Sequence, residues 1–207
     1  MKTIIDTLTL EERKLTKLVS LKKDEILFHE DEYCECIGIV KEGYLSISSY
    51  SYHGNEIVYN HLTIGGVFGN NLVFSTDPRY KGDVISKTHS KVLLINKNNL
   101  IKILQTNKEF LTKYLEIQSE FGKSLNTKIK LLSFDSAEER FLYYLYINNN
   151  KIEYTTITSL AESLSLKRET LSRLISKLVK KQAINKNKHA ITHWIAFRYY
   201  LFYILID

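Results

Sequence analysis

Residues 157–192 read ITSLAESLSLKRETLSRLISKLVKKQAINKNKHAIT. Apolar side chains fall at Leu160, Ala161, Leu164, Leu166, Leu171, Leu174, Ile175 and Leu178. Intervals of three and four place side chains on one helix face. The pattern fits two short helices meeting at a turn near Ser165. Leu160 and Leu164 line the inner face of the first. Leu171, Leu174 and Leu178 line that of the second. Ala161 is small where the two would cross closely. This spacing is a helix-turn-helix pattern. The second helix opens Lys167-Arg168-Glu169-Thr170 and continues through Ser172-Arg173 to Lys177. Arg168, Glu169, Ser172 and Arg173 project away from the apolar stripe. A recognition helix lies in the major groove with its N-terminal residues on base edges. Arginine donates two hydrogen bonds to guanine, and glutamate accepts from cytosine N4. Arg168, Glu169 and Arg173 therefore suit a G·C-containing half-site.

Residues 184–192 read INKNKHAIT, two apolar ends around a polar basic turn, as in the β-hairpin wing of a winged helix. From Lys167 to Lys188 eight Lys/Arg stand against one acid, Glu169. Such a surplus suits phosphate contacts, which set affinity and register rather than sequence. Lys167, Lys177, Lys186 and Lys188 are candidates, with His189 beside them. The competing reading is a helical packing domain with a solvated basic face. Spacing, charge and wing together favour nucleic acid.

The charge distribution points the same way. The formal net charge is +6. Residues 1–135 hold 18 Lys/Arg and 17 Asp/Glu, and residues 136–207 hold 11 and 6, so +5 of the excess lies in the last third. A basic segment suits a polyanion partner. A chain 44% hydrophobic and 25% charged is an ordinary globular protein.

Upstream, the pattern changes. All eight glycines lie at or before Gly122, seven of them between Gly38 and Gly82. Glycine turns between short apolar runs mark a β-rich domain. Strand-like runs cover 25–29, 36–40, 44–50, 56–61 and 91–95. In the third, Leu45 and Ile47 alternate with serines at period two. His53-Gly54-Asn55 stands where a hairpin turn would. The spacing predicts an antiparallel roll or barrel. Thr9-Leu10-Glu11-Glu12 is a capping box for a short first helix. Asn107 caps a long helix from 108 to about 132 with two apolar stripes. One is Leu111, Leu115, Leu125, Ile129 and Leu132. The other is Phe110, Tyr114, Ile117, Phe121 and Leu131. A helix apolar on two faces must bury both: one can pack on the barrel and the other on a second subunit, the alternative being a wholly internal core helix. Phe110, Tyr114, Ile117, Phe121 and Leu125 are the expected dimer contacts. Phe134-Asp135-Ser136 is the expected hinge, and Ser136-Ala137-Glu138-Glu139 a second capping box. The expected domains are a sensor roll (1–106), a dimerisation helix with hinge (107–135) and a DNA-binding domain (136–207).

At this point the sequence resembles the cyclic-AMP receptor protein/Fnr (Crp/Fnr) family of bacterial transcription regulators over residues 10 to about 192. Lys167-Arg168-Glu169-Thr170-Leu171-Ser172-Arg173-Leu174 is similar to the family's recognition helix. Glu138-Glu139-Arg140 matches the start of its DNA-binding domain. Asp24-Glu25-Ile26-Leu27-Phe28, Gly43, Gly54-Asn55-Glu56-Ile57 and Gly66-Val67-Phe68-Gly69 fall where the family places similar residues. The resemblance implies an α+β fold: a cyclic-nucleotide-binding-like antiparallel β-roll, a long dimerisation helix and a C-terminal winged helix-turn-helix. It implies homodimers on a two-fold-related operator. Arg168, Glu169 and Arg173 would read bases, with Thr170 and Ser172 as lesser contacts. RNA polymerase is a candidate partner.

Three departures refine that expectation. The family's phosphate-binding cassette carries a Gly-Glu pair and an Arg-Ser pair. Here Gly69 is followed by Asn70, and Tyr80-Lys81 stands for Arg-Ser. A cyclic phosphate needs the arginine's charge-assisted hydrogen bonds, and Lys81 lacks the planar fork. Cyclic AMP is therefore not the expected effector, leaving another small molecule, a protein or none. The residues to watch for an effector are Phe68, Gly69, Asn70, Asn71, Tyr80 and Lys81. Ser165 stands where the family has a turn glycine, which serves a positive φ. The tail, residues 193–207, reads HWIAFRYYLFYILID, far more aromatic than the family's usual end. Its readings are a buried final helix, an extra dimer contact, an altered end or a membrane-surface anchor.

Other classes fare worse. The six histidines, at 29, 53, 61, 89, 189 and 193, form no His-x-His pair, against a metal-dependent jelly-roll enzyme. Two cysteines, Cys34 and Cys36, hold no cluster or structural zinc unaided. No metal, cofactor or catalytic residue is expected. A sensor or scaffold binding protein instead of DNA is the other alternative. Lys2 is followed by Asp6, Glu11 and Glu12 with no apolar run, so no signal peptide is read. A cytoplasmic location is expected, and a membrane partner is not.

Overall fold

The structure is a computed structural model that describes residues 2–54 and 56–193. The aromatic tail from Trp194 onward, and Asn55 of the expected hairpin turn, lie outside the described residues. Contacts divide the chain into two compact units, Met1–Phe121 and Gly122–Asp207. The division falls inside the long helix rather than at 106 and 135.

The first unit opens with a short 3-10 helix (Ile4–Thr7), followed by α1 (Leu10–Arg13). The Thr9 side chain accepts from Glu12 N while the Glu12 carboxylate accepts from Thr9 N, so the capping box forms as read. Eight strands follow: β1 (Lys17–Leu21), β2 (Ile26–Phe28), β3 (Cys36–Glu42), β4 (Leu45–Tyr50), β5 (Glu56–Leu62), β6 (Val67–Phe68), β7 (Asp83–Ser86) and β8 (Ser90–Asn96). They form two antiparallel four-stranded sheets, in orders β1-β8-β3-β6 and β2-β7-β4-β5. The long-range pairings give the roll. β4 and β5 form the expected hairpin, with Gly54 at φ +76 and Tyr50 opposite Glu56.

The core of this unit holds Ile37, Ile39, Val40, Leu45, Val84, Val92 and Ile95, all fully buried. Gly38 is glycine for a spatial reason: a Cβ there would lie 2.0 Å from Phe68 Cζ. Strands β1, β6 and β7, too short or too polar for their runs to stand out, escaped the sequence reading. So did α2 (Lys97–Thr106), capped by Asn96. In β4 the serines do not face solvent. Ser46 and Ser48 are buried, in a strand that lies between β7 and β5 in its sheet.

Helix α3 (Lys108–Leu132) starts where Asn107 predicted, Asn107 Oδ1 accepting from Phe110 N at 2.9 Å. The second unit then runs α4 (Ala137–Ile147), β9 (Lys151–Glu153), α5 (Ile157–Ser163), α6 (Arg168–Lys180), β10 (Ile184–Lys186) and β11 (Ala190–His193). The Ser136 capping box forms as read. The three strands make one antiparallel sheet, β10-β11-β9. The core of this unit is Leu131, Phe141, Leu142, Leu145, Ile152, Leu160, Leu164, Leu171, Leu174, Ile175, Leu178, Ile184 and Ile191. Among the described residues, no helix is long and apolar enough to cross a membrane.

Candidate nucleic-acid interface

The α5–α6 pair is built by its caps and its turn. Thr156 Oγ1 accepts from Ser159 N at 3.0 Å and starts α5. Leu166 N donates to Ala161 O at 2.9 Å and closes its end. Between them Ser165 takes φ +52, the left-handed conformation that its place in the pattern foretold. Ala161, 2% exposed, sits in the shared core.

Helix α6 then presents two faces. Leu171, Leu174, Ile175 and Leu178 are buried. Arg168, Glu169, Thr170, Ser172, Arg173 and Lys177 are exposed, as is Lys167 at the N-cap. Ion-pair partners distinguish the cations. Lys177 Nζ lies 2.7 Å from Glu138 Oε2. Among the described residues, Arg168 and Arg173 have no such partner within the chain and keep every donor for an outside acceptor. Glu169 stands in the first turn, where a carboxylate is favoured by the helix dipole. The wing is a true hairpin: Lys186 pairs with Ile191, and Asn187 N donates to Ala190 O at 2.8 Å. Ile184 and Ile191 anchor it in the core while Lys186, Lys188 and His189 stay exposed. β9 supplies a third strand that the sequence reading missed, three residues being too short to show alternation.

Of the residues flagged for an effector, Phe68, Gly69, Asn70 and Tyr80 are buried. Phe68 and Tyr80 are both 2% exposed. The Tyr80 ring stacks on Phe28, centroids 4.8 Å apart and planes 13° off parallel. Its buried hydroxyl sits beside the Cys34 thiol. Burial pushes the Tyr80 phenol far up, so it stays protonated. Gly69 takes φ +73 and abuts the Cys36 carbonyl. Asn70, 4% exposed, turns toward α3. Its Nδ2 donates to Gln118 Oε1 at 2.5 Å, and its carbonyl accepts from Gln118 Nε2 at 2.9 Å and from Tyr114 Oη at 3.1 Å. Only Asn71 and Lys81 face solvent. Gln118 carried no local signal; its partner is 48 residues away. Burial also raises both thiols, Cys36 to about 11. Both cysteines are free. An open cleft of about 930 Å³ lies in the second unit instead, lined by Tyr144, Ser159, Ser163, Lys188 and His189 among others. Among the described residues, no three His, Cys, Asp or Glu side chains come together to hold a metal.

The expected dimer contacts need correction. Phe110 and Tyr114 are buried in the core of the first unit, with Ile117 packed against it. Phe121 is half-buried, and Leu131 belongs to the other core. Side chains already packed within the chain are not free to meet a second copy. Leu125 is the exposed member of the five, at 44%. The open apolar residues of α3 are Leu115, Leu125, Ile129 and Leu132. With Leu111, Gln118 and Gly122 they complete a four-three spacing, the interval of a coiled-coil seam.

Comparison with known proteins agrees with this architecture. The cyclic nucleotide-binding domain family matches residues 18–107. A transcriptional regulator from Thermotoga maritima is 25% identical, covering 61% of this chain and 98% of its own, with a TM-score of 0.56. A CooA mutant from Carboxydothermus hydrogenoformans is 16% identical over 93% of this chain and 91% of its own, with a TM-score of 0.72. The catabolite activator protein of Thermus thermophilus is 15% identical over 98% of both chains, with a TM-score of 0.55. No curated protein matches the sequence. Residues 18–107 thus match the cyclic nucleotide-binding domain family, and the chain shares the fold of these Crp/Fnr-type solved structures.

Proposed function

We propose that this chain is a sequence-specific transcription regulator that binds double-stranded DNA as a homodimer. One observation carries the reading: the N-terminal half of α6 presents Arg168, Glu169 and Arg173 to solvent while its other face is locked into a core. A rigid helix with unpaired guanidinium groups at its start is what major-groove readout needs. Thr170 and Ser172 add lesser contacts. Lys167, Lys186 and Lys188 hold phosphates, and Lys177 joins them by exchanging Glu138 for the backbone. The dimer forms along α3 through Leu115, Leu125, Ile129 and Leu132. Two recognition helices about 34 Å apart then meet half-sites one helical turn apart. The protein acts in the cytoplasm, where its DNA is.

Cyclic AMP is not its effector. Where the family's phosphate-binding cassette carries a glutamate this chain has Asn70, already hydrogen-bonded to Gln118, and Tyr80 is part of the core. The test is selection of duplexes from a random pool by the purified protein, with affinity measured against salt. Enrichment of an inverted repeat with G·C in each half-site supports the reading. Weak binding without enrichment, in the presence and absence of cyclic AMP, overturns it.

A further inference from the structure

Three consecutive charged side chains in the first turn of α4 have three different partners. The Glu139 carboxylate accepts from Ser136 N at 3.1 Å and caps its own helix. Glu138 accepts from Lys177 and ties α4 to α6. Arg140 does neither. Its Nε and Nη2 donate to the Phe134 carbonyl at 3.2 and 3.1 Å, and its Nη1 reaches the Ser165 carbonyl at 3.5 Å. One guanidinium thus links the segment after α3 to the turn between α5 and α6, 25 residues further on. A planar fork can hold two carbonyls in fixed geometry, whereas an ammonium is a point charge on a flexible stem.

The second carbonyl belongs to the most constrained residue of the motif. Ser165 holds φ +52, a conformation that residues with a Cβ rarely enter, so its neighbours must hold it there. Three residues later Arg168 begins the recognition helix. A turn that shifts by a fraction of an ångström moves the start of α6 with it. Base edges are read at hydrogen-bond tolerance.

We propose that Arg140 is a positioning residue for DNA recognition. It contacts neither base nor phosphate. It fixes the α5–α6 turn and so aims Arg168, Glu169 and Arg173. This rests on the DNA-binding reading above and adds a part that reading did not assign.

The experiment compares the full-length protein with Arg140→Ala and Arg140→Lys. Hydrogen exchange is followed first, without DNA. Faster exchange confined to amides 164–171 in both variants is expected, with an unchanged melting temperature or one lowered by a few degrees. Unchanged exchange there overturns the proposal whether or not the protein binds DNA. Binding is then measured for the selected duplex and a scrambled one across a salt series. The selected duplex should lose on the order of tenfold in affinity. The scrambled duplex should lose less than twofold, and the salt slope should not change. A slope lower by about one, with both duplexes weakened alike, would instead make Arg140 a phosphate contact. Full rescue by lysine would also overturn the fork argument. If wild-type protein shows no duplex preference, the DNA reading fails separately, and the exchange result still decides whether Arg140 holds the turn.

Discussion

Replacing Gly122 by alanine tests how α3 is used. The residue lies in the helix interior, and a methyl built on it meets nothing of its own chain within 4 Å. Glycine in a helix interior costs about 1 kcal/mol against alanine, because the unfolded chain gives up more freedom. Within a single chain Gly122→Ala is therefore stabilising by about 1 kcal/mol, or about 3 °C in Tm for a protein of this size. The proposed dimer reverses the sign. Gly122 falls in the four-three series with Leu115, Leu125, Ile129 and Leu132, where two helices pack closely. A methyl from each copy overpacks the seam, at about 1–3 kcal/mol. That is a loss of about 5- to 150-fold in dimer affinity. Sedimentation equilibrium and thermal melts over one dilution series separate the two effects. At the lowest concentrations Tm should rise, while the dimer dissociation constant weakens. A raised Tm with unchanged or tighter dimerisation would refute a helix crossing at Gly122. A lower Tm at every dilution would refute the claim that the position is open in the single chain.

The remaining predictions are briefer. Arg168→Ala should cost about 1–3 kcal/mol on the selected duplex and relax preference at one base position, whereas Lys186→Ala should weaken all duplexes alike and lower the salt slope by about one. Equal loss of preference in both would contradict the assignment. Leu171→Ala, at a fully buried position, should destabilise the protein by about 2–5 kcal/mol in urea melts. Ser172→Ala, one residue on and exposed, should change stability by no more than about 0.5 kcal/mol. Burial holds the Cys36 thiol protonated up to about 11 against an ordinary 9.0. The folded pKa is raised, so this contribution is whole below pH 9.0 and is lost as pH climbs toward 11. The urea midpoint should fall over that window, and less so in a Cys34→Ala, Cys36→Ala double variant. Equal falls in both proteins would assign the loss to other groups.

Much of the second unit was legible because its information is local. Its capping box at Ser136–Glu139 involves residues three apart and formed as read, as did that at Thr9–Glu12 in the first unit. The apolar series from Leu160 to Leu178 places each side chain by helical periodicity alone. It correctly separated Leu171, Leu174 and Leu178 from exposed Arg168, Glu169 and Arg173. Ser165, standing where a glycine was expected, marked the positive φ of the turn. The glycine-punctuated runs predicted an antiparallel roll but not its strand order, since pairings such as β1 with β8 join residues as far apart as Lys17 and Leu94. Periodicity also found two apolar stripes on α3 without saying which one the chain would cover itself. Packing decided that: Phe110 and Tyr114 are buried in the core of the first unit, whereas Leu115, Leu125 and Ile129 are exposed among the described residues. The departures Asn70 and Tyr80 were visible as letters. Only the tertiary structure showed Asn70 engaged by Gln118 and Tyr80 stacked on Phe28. The sequence by itself determined the helix-turn-helix, the exposed face of its second helix and the class of fold, because those follow from the geometry of neighbours in the chain. The tertiary structure alone decided strand order, which stripe of α3 is buried and the burial of Asn70 and Tyr80, because each depends on which distant surfaces bury one another.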